Sequence, residues 1–143
     1  MSSGSFGAGV YLTENAEKMD QYTFPDLPYS APPASLEELH SILYGTGEDS
    51  IRRPDEDVFY AFVVLACCGL PVRAKDGLTD LDRRGSEVFA TRDRRELTQI
   101  SGSLVRFRSL LAETGAALKR YREFVFFSGN RTHLGYLVAY LKK

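Results

Sequence analysis

The chain has no tryptophan, only two methionines, two histidines and two cysteines among its 143 residues. The cysteines are the neighbours Cys67 and Cys68. Adjacent cysteines seldom bridge each other, and two thiols alone cannot build a structural zinc site. No metal is expected. Charge of one sign is lacking too: 18 Lys and Arg against 19 Asp and Glu leave a net charge of -1. A strongly basic nucleic-acid footprint is therefore absent. No apolar run approaches the roughly 18 residues of a membrane span. Met1 to Val10 is rich in Ser and Gly, with no basic flank or apolar stretch, unlike a signal peptide. The expected setting is reducing and intracellular, nuclear or cytoplasmic, with no membrane partner.

What is present is a globular balance. Hydrophobic residues make up 43%, charged residues 26% and aromatics 12%, in a length that suits one domain. Phe6 to Leu12 reads as a glycine-rich turn entering a strand, with Gly7 and Gly9 permitting close backbone approach. Thr13, Glu14 and Asn15 offer caps for a short helix over 16–22. Four of the six prolines fall between Thr23 and Ala34, which predicts an ordered or semi-rigid loop. Ser35 and Glu38 match a capping box, the periodicity of Leu36, Leu39, Ile42 and Leu43 predicts a helix, and Gly45 ends it. Val58 to Cys68 is almost wholly apolar and predicts a central strand buried on both faces.

Residues 73–103 are charged and irregular, with a turn at Asp76-Gly77 and a β-like piece at Val88-Phe89. Leu104 to Lys119 suits a helix by the spacing of Leu104, Phe107, Leu110 and Leu111, although glycines sit near both ends. Phe124 to Phe127, the turn Ser128-Gly129-Asn130 and Leu134 to Leu141 read as strand, turn and strand.

Two separated segments resemble the catalytic domain of poly(ADP-ribose) polymerase-type (diphtheria-toxin-like) ADP-ribosyltransferases. The first runs from Phe6-Gly7-Ala8-Gly9-Val10-Tyr11-Leu12 through Glu14-Asn15 and Lys18 to Tyr22, against a family F-G-x-G-I-Y-F strand and E-N-x-x-K-S-x-x-Y helix. The second is Tyr121-Arg122-Glu123-Phe124-Val125-Phe126-Phe127, followed nine residues later by Tyr136-Leu137-Val138-Ala139-Tyr140. Phe59 to Leu70 is similar to the family's central strand, and Thr23 to Asp57 looks like a Pro-rich insertion.

The resemblance implies an α+β fold with a split antiparallel β-sheet and short flanking helices. It implies one partial catalytic domain over 1–143, because only five residues precede Phe6 and the family's His-Gly strand lies upstream of that point. The implied activity is a glycosyltransferase reaction. ADP-ribose passes from NAD, the co-substrate, to a protein or nucleic-acid acceptor, and nicotinamide leaves. Breaking the N-glycosidic bond develops positive charge on the ribose, which a carboxylate beside it stabilises in the transition state. The resemblance puts that carboxylate at Glu123. Tyr11 and Tyr22 would form the walls of the nicotinamide slot, lined by Gly9 and Thr13, with Lys18 close by. Met19 stands where the family has a serine that bonds the nicotinamide amide, which implies weaker or altered binding. The alternative is an inactive remnant that binds NAD or ADP-ribose without turnover.

Simpler roles suit the other notable residues. Glu123 also reads as a strand-start carboxylate paired with Arg122 or Lys119, and Tyr11 and Tyr22 as core aromatics. Cys67 and Cys68 read as buried core residues. His40 and His133 read as surface or capping residues. The basic clusters around Arg83, Arg92 and Arg106 read as solvated faces.

Overall fold

Five strands form the larger of two sheets in the computed structural model, which describes residues 2–27, 33–74, 80–115 and 118–142. In chain order the elements are β1 (Ser2–Gly4), β2 (Gly7–Leu12), α1 (Ala16–Asp20), α2 (Ala34–Tyr44), β3 (Val58–Ala66), β4 (Pro71–Ala74), β5 (Ser109–Ala112), β6 (Glu123–Phe126) and β7 (Thr132–Leu141). The larger sheet has the order β1-β2-β6-β5-β4, and β3 pairs with β7 in a second sheet. The fold is α+β, mostly sheet, with two helices among the described residues.

The chain divides into two compact units. The first comprises Met1–Gln21 and Val64–Gly135, the second Tyr22–Val63 and Tyr136–Lys143. In the first unit, β2 runs antiparallel to β6 with Tyr11 opposite Val125, and β6 runs antiparallel to β5 with Leu110 opposite that same Val125. Directly paired residues share a sheet face. Leu110 and Val125 thus drive into a core with Phe6, Val72, Val88 and Leu118, all buried. Phe89 and Phe127 close one side edge-to-face, with ring centres 5.6 Å apart. At about 1.5–3 kcal/mol for each large apolar side chain removed from water, this cluster dominates the stability of the first unit.

The structure corrects several expectations. Ser109–Ala112 is a strand buried at every position, not part of a helix over 104–119. Its leucines satisfy either period, and pairing with strands on both sides decides. The pairing of β4 with β5 is parallel, so the larger sheet is mixed and not antiparallel throughout. The buried central strand expected over 58–68 is β3, which among the described residues has β7 as its one sheet neighbour. After the buried Val58 and Phe59 it exposes Phe62, Val63 and Leu65. A continuous apolar run is buried only where other elements cover both faces of its strand. Cys67, just past β3, is exposed and not a core residue, and Cys68 is half-buried.

Helix α2 begins two residues earlier than the capping box implies. Pro33 is its N-cap, in extended backbone and with no side-chain cap bond. Gly45 ends it as expected, at φ +74°, where a side chain would be strained. The second histidine, His133, is exposed as expected. The turn expected at Asp76-Gly77 and part of the proline loop lie outside the described residues.

Candidate functional site

The register of β2 against β6 builds the site. Alternation along a strand puts Gly9 and Tyr11 on one face, and the pairing of Tyr11 with Val125 puts Glu123 on that face two residues along. Glu123 opens β6 opposite Ala112 of β5, so its carboxylate stands at the end of a row that otherwise points into the apolar core. Its side chain is only 12% exposed.

Lys18 meets it. The Asn15 side chain caps α1 by accepting from the backbone N–H groups of Glu17 and Lys18, at 2.9 and 3.3 Å. That cap starts the helix directly after β2 and turns Lys18 toward β6. Lys18 Nζ lies 2.9 Å from Glu123 Oε1, with the lysine side chain 15% exposed. A partly desolvated pair of this kind holds the carboxylate in one orientation. The residue type and place of Lys18 were legible in the sequence; its direct pairing with Glu123 was not.

Tyr11 is half-buried against the core. Its hydroxyl donates to the Gly7 carbonyl at 2.8 Å and accepts from the Phe6 N–H at 3.0 Å, clasping the turn that leads into β2. Burial pushes its phenol pKa up, and the Glu123 charge adds to the rise, while the Phe6 N–H opposes it. The polar end of Tyr11 is thus committed, and what it can offer a ligand is ring surface. Part of that surface is covered: a Cβ on Gly4 would sit 2.4 Å from Tyr11 Cζ, so only glycine fits there.

Gly9 has a comparable role. A Cβ there would lie 3.0 Å from the Phe126 carbonyl oxygen and 3.1 Å from Val125 Cγ1. The close approach that its glycine allows is that of β2 to β6. Thr13 accepts the Asn15 N–H through Oγ1 at 3.2 Å, forming the small turn before α1. Met19 is half-buried on α1. Tyr22 belongs to the second unit and is 67% exposed.

Two surface hollows lie in the first unit, one of them against Lys18. One of about 340 Å³ is lined by Lys18, Gln21, Leu118, Lys119, Arg120 and Tyr121. The other, about 290 Å³, shares Arg120 and Tyr121 and adds Glu14, Asn15, Glu113, Thr114 and Arg122. Arg122 grips Glu14 with both Nε and Nη2, the latter at 2.8 Å, so it is not the partner of Glu123. Its charge and hydrogen bonds hold the Glu14 carboxyl below the usual range. Tyr121 donates to the Glu17 carboxylate. The side chain of Glu113 bridges Arg73 and Arg83 at 2.6 and 3.0 Å. Among the described residues no group of three His, Cys, Asp or Glu side chains is arranged to hold a metal. No helix among them is long and apolar enough to cross a membrane.

A second polar cluster escaped the sequence reading. His40, expected as a surface or capping residue, turns inward from α2, and its Nε2 lies 2.6 Å from Asp26 Oδ2. Tyr60 donates to the same oxygen at 2.8 Å, and Arg53 Nη2 lies 3.1 Å from it. The only cue in the sequence was a histidine within an amphipathic helix pattern, which does not say where its partner lies.

No family model matches the chain, and no curated protein matches it.

Proposed function

We propose that the first unit carries the nicotinamide-ribose end of an NAD-dependent ADP-ribosyltransferase site, within an ADP-ribosyltransferase-like fold. The observation that supports this reading is the register of β2 and β6. It brings Glu123, more than a hundred residues away in the sequence, to the strand beside Tyr11, where Lys18 of α1 meets it. A flat cationic ring is suited to a tyrosine with its hydroxyl already bonded, since only aromatic surface is then presented. A ribose is suited to a carboxylate that can accept from its hydroxyls, and Glu123 retains an exposed edge beside a hollow lined by Lys18, Lys119 and Arg120.

In this reading Glu123 accepts hydrogen bonds from the ribose and stabilises positive charge as the bond between the anomeric carbon and the nicotinamide nitrogen breaks. That electron pair leaves with nicotinamide. The acceptor nucleophile bonds to the anomeric carbon and gives up its proton to solvent. Lys18 keeps Glu123 oriented until ribose hydroxyls replace it. Met19 supplies apolar contact but no hydrogen bond to the amide. The acceptor is a protein or a nucleic acid.

The test is nicotinamide release from NAD by the full chain. Glu123→Gln, nearly isosteric, should lower release by about a hundredfold to a thousandfold. Release that is equal in the two proteins removes Glu123 from the chemistry. Two observations favour the second reading, a binding module without turnover. The Lys18 ammonium already neutralises Glu123, and the Tyr11 ring is partly covered by Gly4. Calorimetric binding of ADP-ribose with no nicotinamide release would establish that alternative.

A further inference from the structure

The second unit is organised around a carboxylate. Among its described residues only Val58, Phe59 and Asp26 are buried. Helix α2 buries none of its side chains fully. Asp26 instead gathers the elements. From α2 comes His40, from β3 comes Tyr60 and from the segment between them comes Arg53, all onto Oδ2. Arg53 also donates to the Asp26 carbonyl at 2.6 Å. The Asp26 backbone pairs with Val58 in both directions, at 2.8 and 3.2 Å. Behind these lie Tyr44, whose hydroxyl is 3.4 Å from that of Tyr60 and whose ring meets His40 edge-on. One side chain therefore joins four stretches of the unit that share almost no apolar core.

We propose that Asp26 is a proton-operated latch, which holds α2 and the 51–57 segment onto β3 while ionised and lets them open, with the first unit intact, once it is protonated. A guanidinium, an imidazole and a phenol converge on one buried oxygen, so a neutral acid there leaves the Arg53 charge unanswered. Burial alone would raise the carboxyl pKa. The hydrogen bonds from Tyr60 and His40 and the charges of His40 and Arg53 outweigh it, and the pKa lies below the usual range. A carboxyl depressed on folding contributes stability above its unfolded value, about 3.9, and that contribution is lost as pH falls through the folded value. The same contacts push the Tyr60 phenol far up, burial first, so Tyr60 remains a donor throughout. The exposed Arg52–Asp55 pair on the neighbouring segment is solvated and does not share in the latch. This inference does not depend on the proposed transfer activity.

Amide hydrogen exchange on the full chain, corrected for intrinsic rates, tests it. In Asp26→Asn at neutral pH, amides of α2 should lose protection by at least about tenfold, the effect of removing one hydrogen bond to a charged group, while those of β5 and β6 keep theirs. In the unsubstituted protein the same α2 amides should open first as pH falls below about 4, and Tyr60→Phe, which keeps the charge, should retain that acid step. Unchanged α2 protection in Asp26→Asn overturns the proposal. So does loss of protection in both units together in the acid series, which needs no variant and reads the latch even if Asp26→Asn fails to fold.

Discussion

The two units reach order by opposite routes. The first buries Phe6, Leu110, Val125 and Phe126 completely, and its polar contacts lie mostly at the margins of that core. Among its described residues the second has two buried apolar side chains and one buried carboxylate. Apolar burial is non-directional and scales with area, so it tolerates any partner of suitable shape. A buried carboxylate is directional and costly unless every donor is in place. The difference teaches that a stretch with few fully buried apolar residues can still be ordered, but by contacts that are sensitive to protonation and to the loss of a single group.

Substitutions that break one route should leave the other standing. The largest effect belongs to the core. Leu110→Ala, at a fully buried position between β4 and β6, should cost about 2–5 kcal/mol and lower the melting temperature of the first unit. If the loss is under about 1 kcal/mol by denaturant titration, the core is not what holds that unit. Next comes the hub. Tyr60→Phe removes one of the donors to Asp26 and should cost about 1–3 kcal/mol, seen as faster exchange in α2. Equal acceleration across β2 and β6 would erase the distinction between the units.

Smaller again is Asn15→Ala, which removes the α1 cap. About 1 kcal/mol is expected, together with weaker ligand binding by calorimetry if the cap positions Lys18. The smallest is Arg52→Ala. Its partner is Asp55, and both side chains are largely exposed at 82% and 64%. The change should stay within about 0.5 kcal/mol in a urea melt, and a larger loss would extend the polar hub beyond Asp26.

The candidate site was largely legible in the sequence because its residues sit in strongly patterned segments. Gly9, Tyr11 and Glu123 fall in or beside runs whose alternation specifies strands, and Lys18 follows a cap residue that specifies a helix start. What could not be read was how committed those groups already are. The Tyr11 hydroxyl is held by the Phe6–Gly7 turn, Gly9 lies close against β6, and Glu123 is paired with Lys18. Each of these is a contact whose partner is fixed by backbone register, and register is not written in composition or local periodicity.

The same limit explains the misread strands. Leucines at 104, 110 and 111 satisfy a helical spacing, and the apolar run at 58–66 satisfies a buried strand, because periodicity constrains faces and not neighbours. By itself the sequence determined an α+β chain of near-neutral charge and the positions of β2, α1, α2, β6 and β7. Tertiary structure alone decided that β5, and not β3, is the strand buried at every position, that Glu123 meets Lys18, and that Asp26 gathers His40, Arg53 and Tyr60. Burial and charge pairing depend on which distant segments become adjacent, and that is set by the summed free energy of the whole fold rather than by any local stretch.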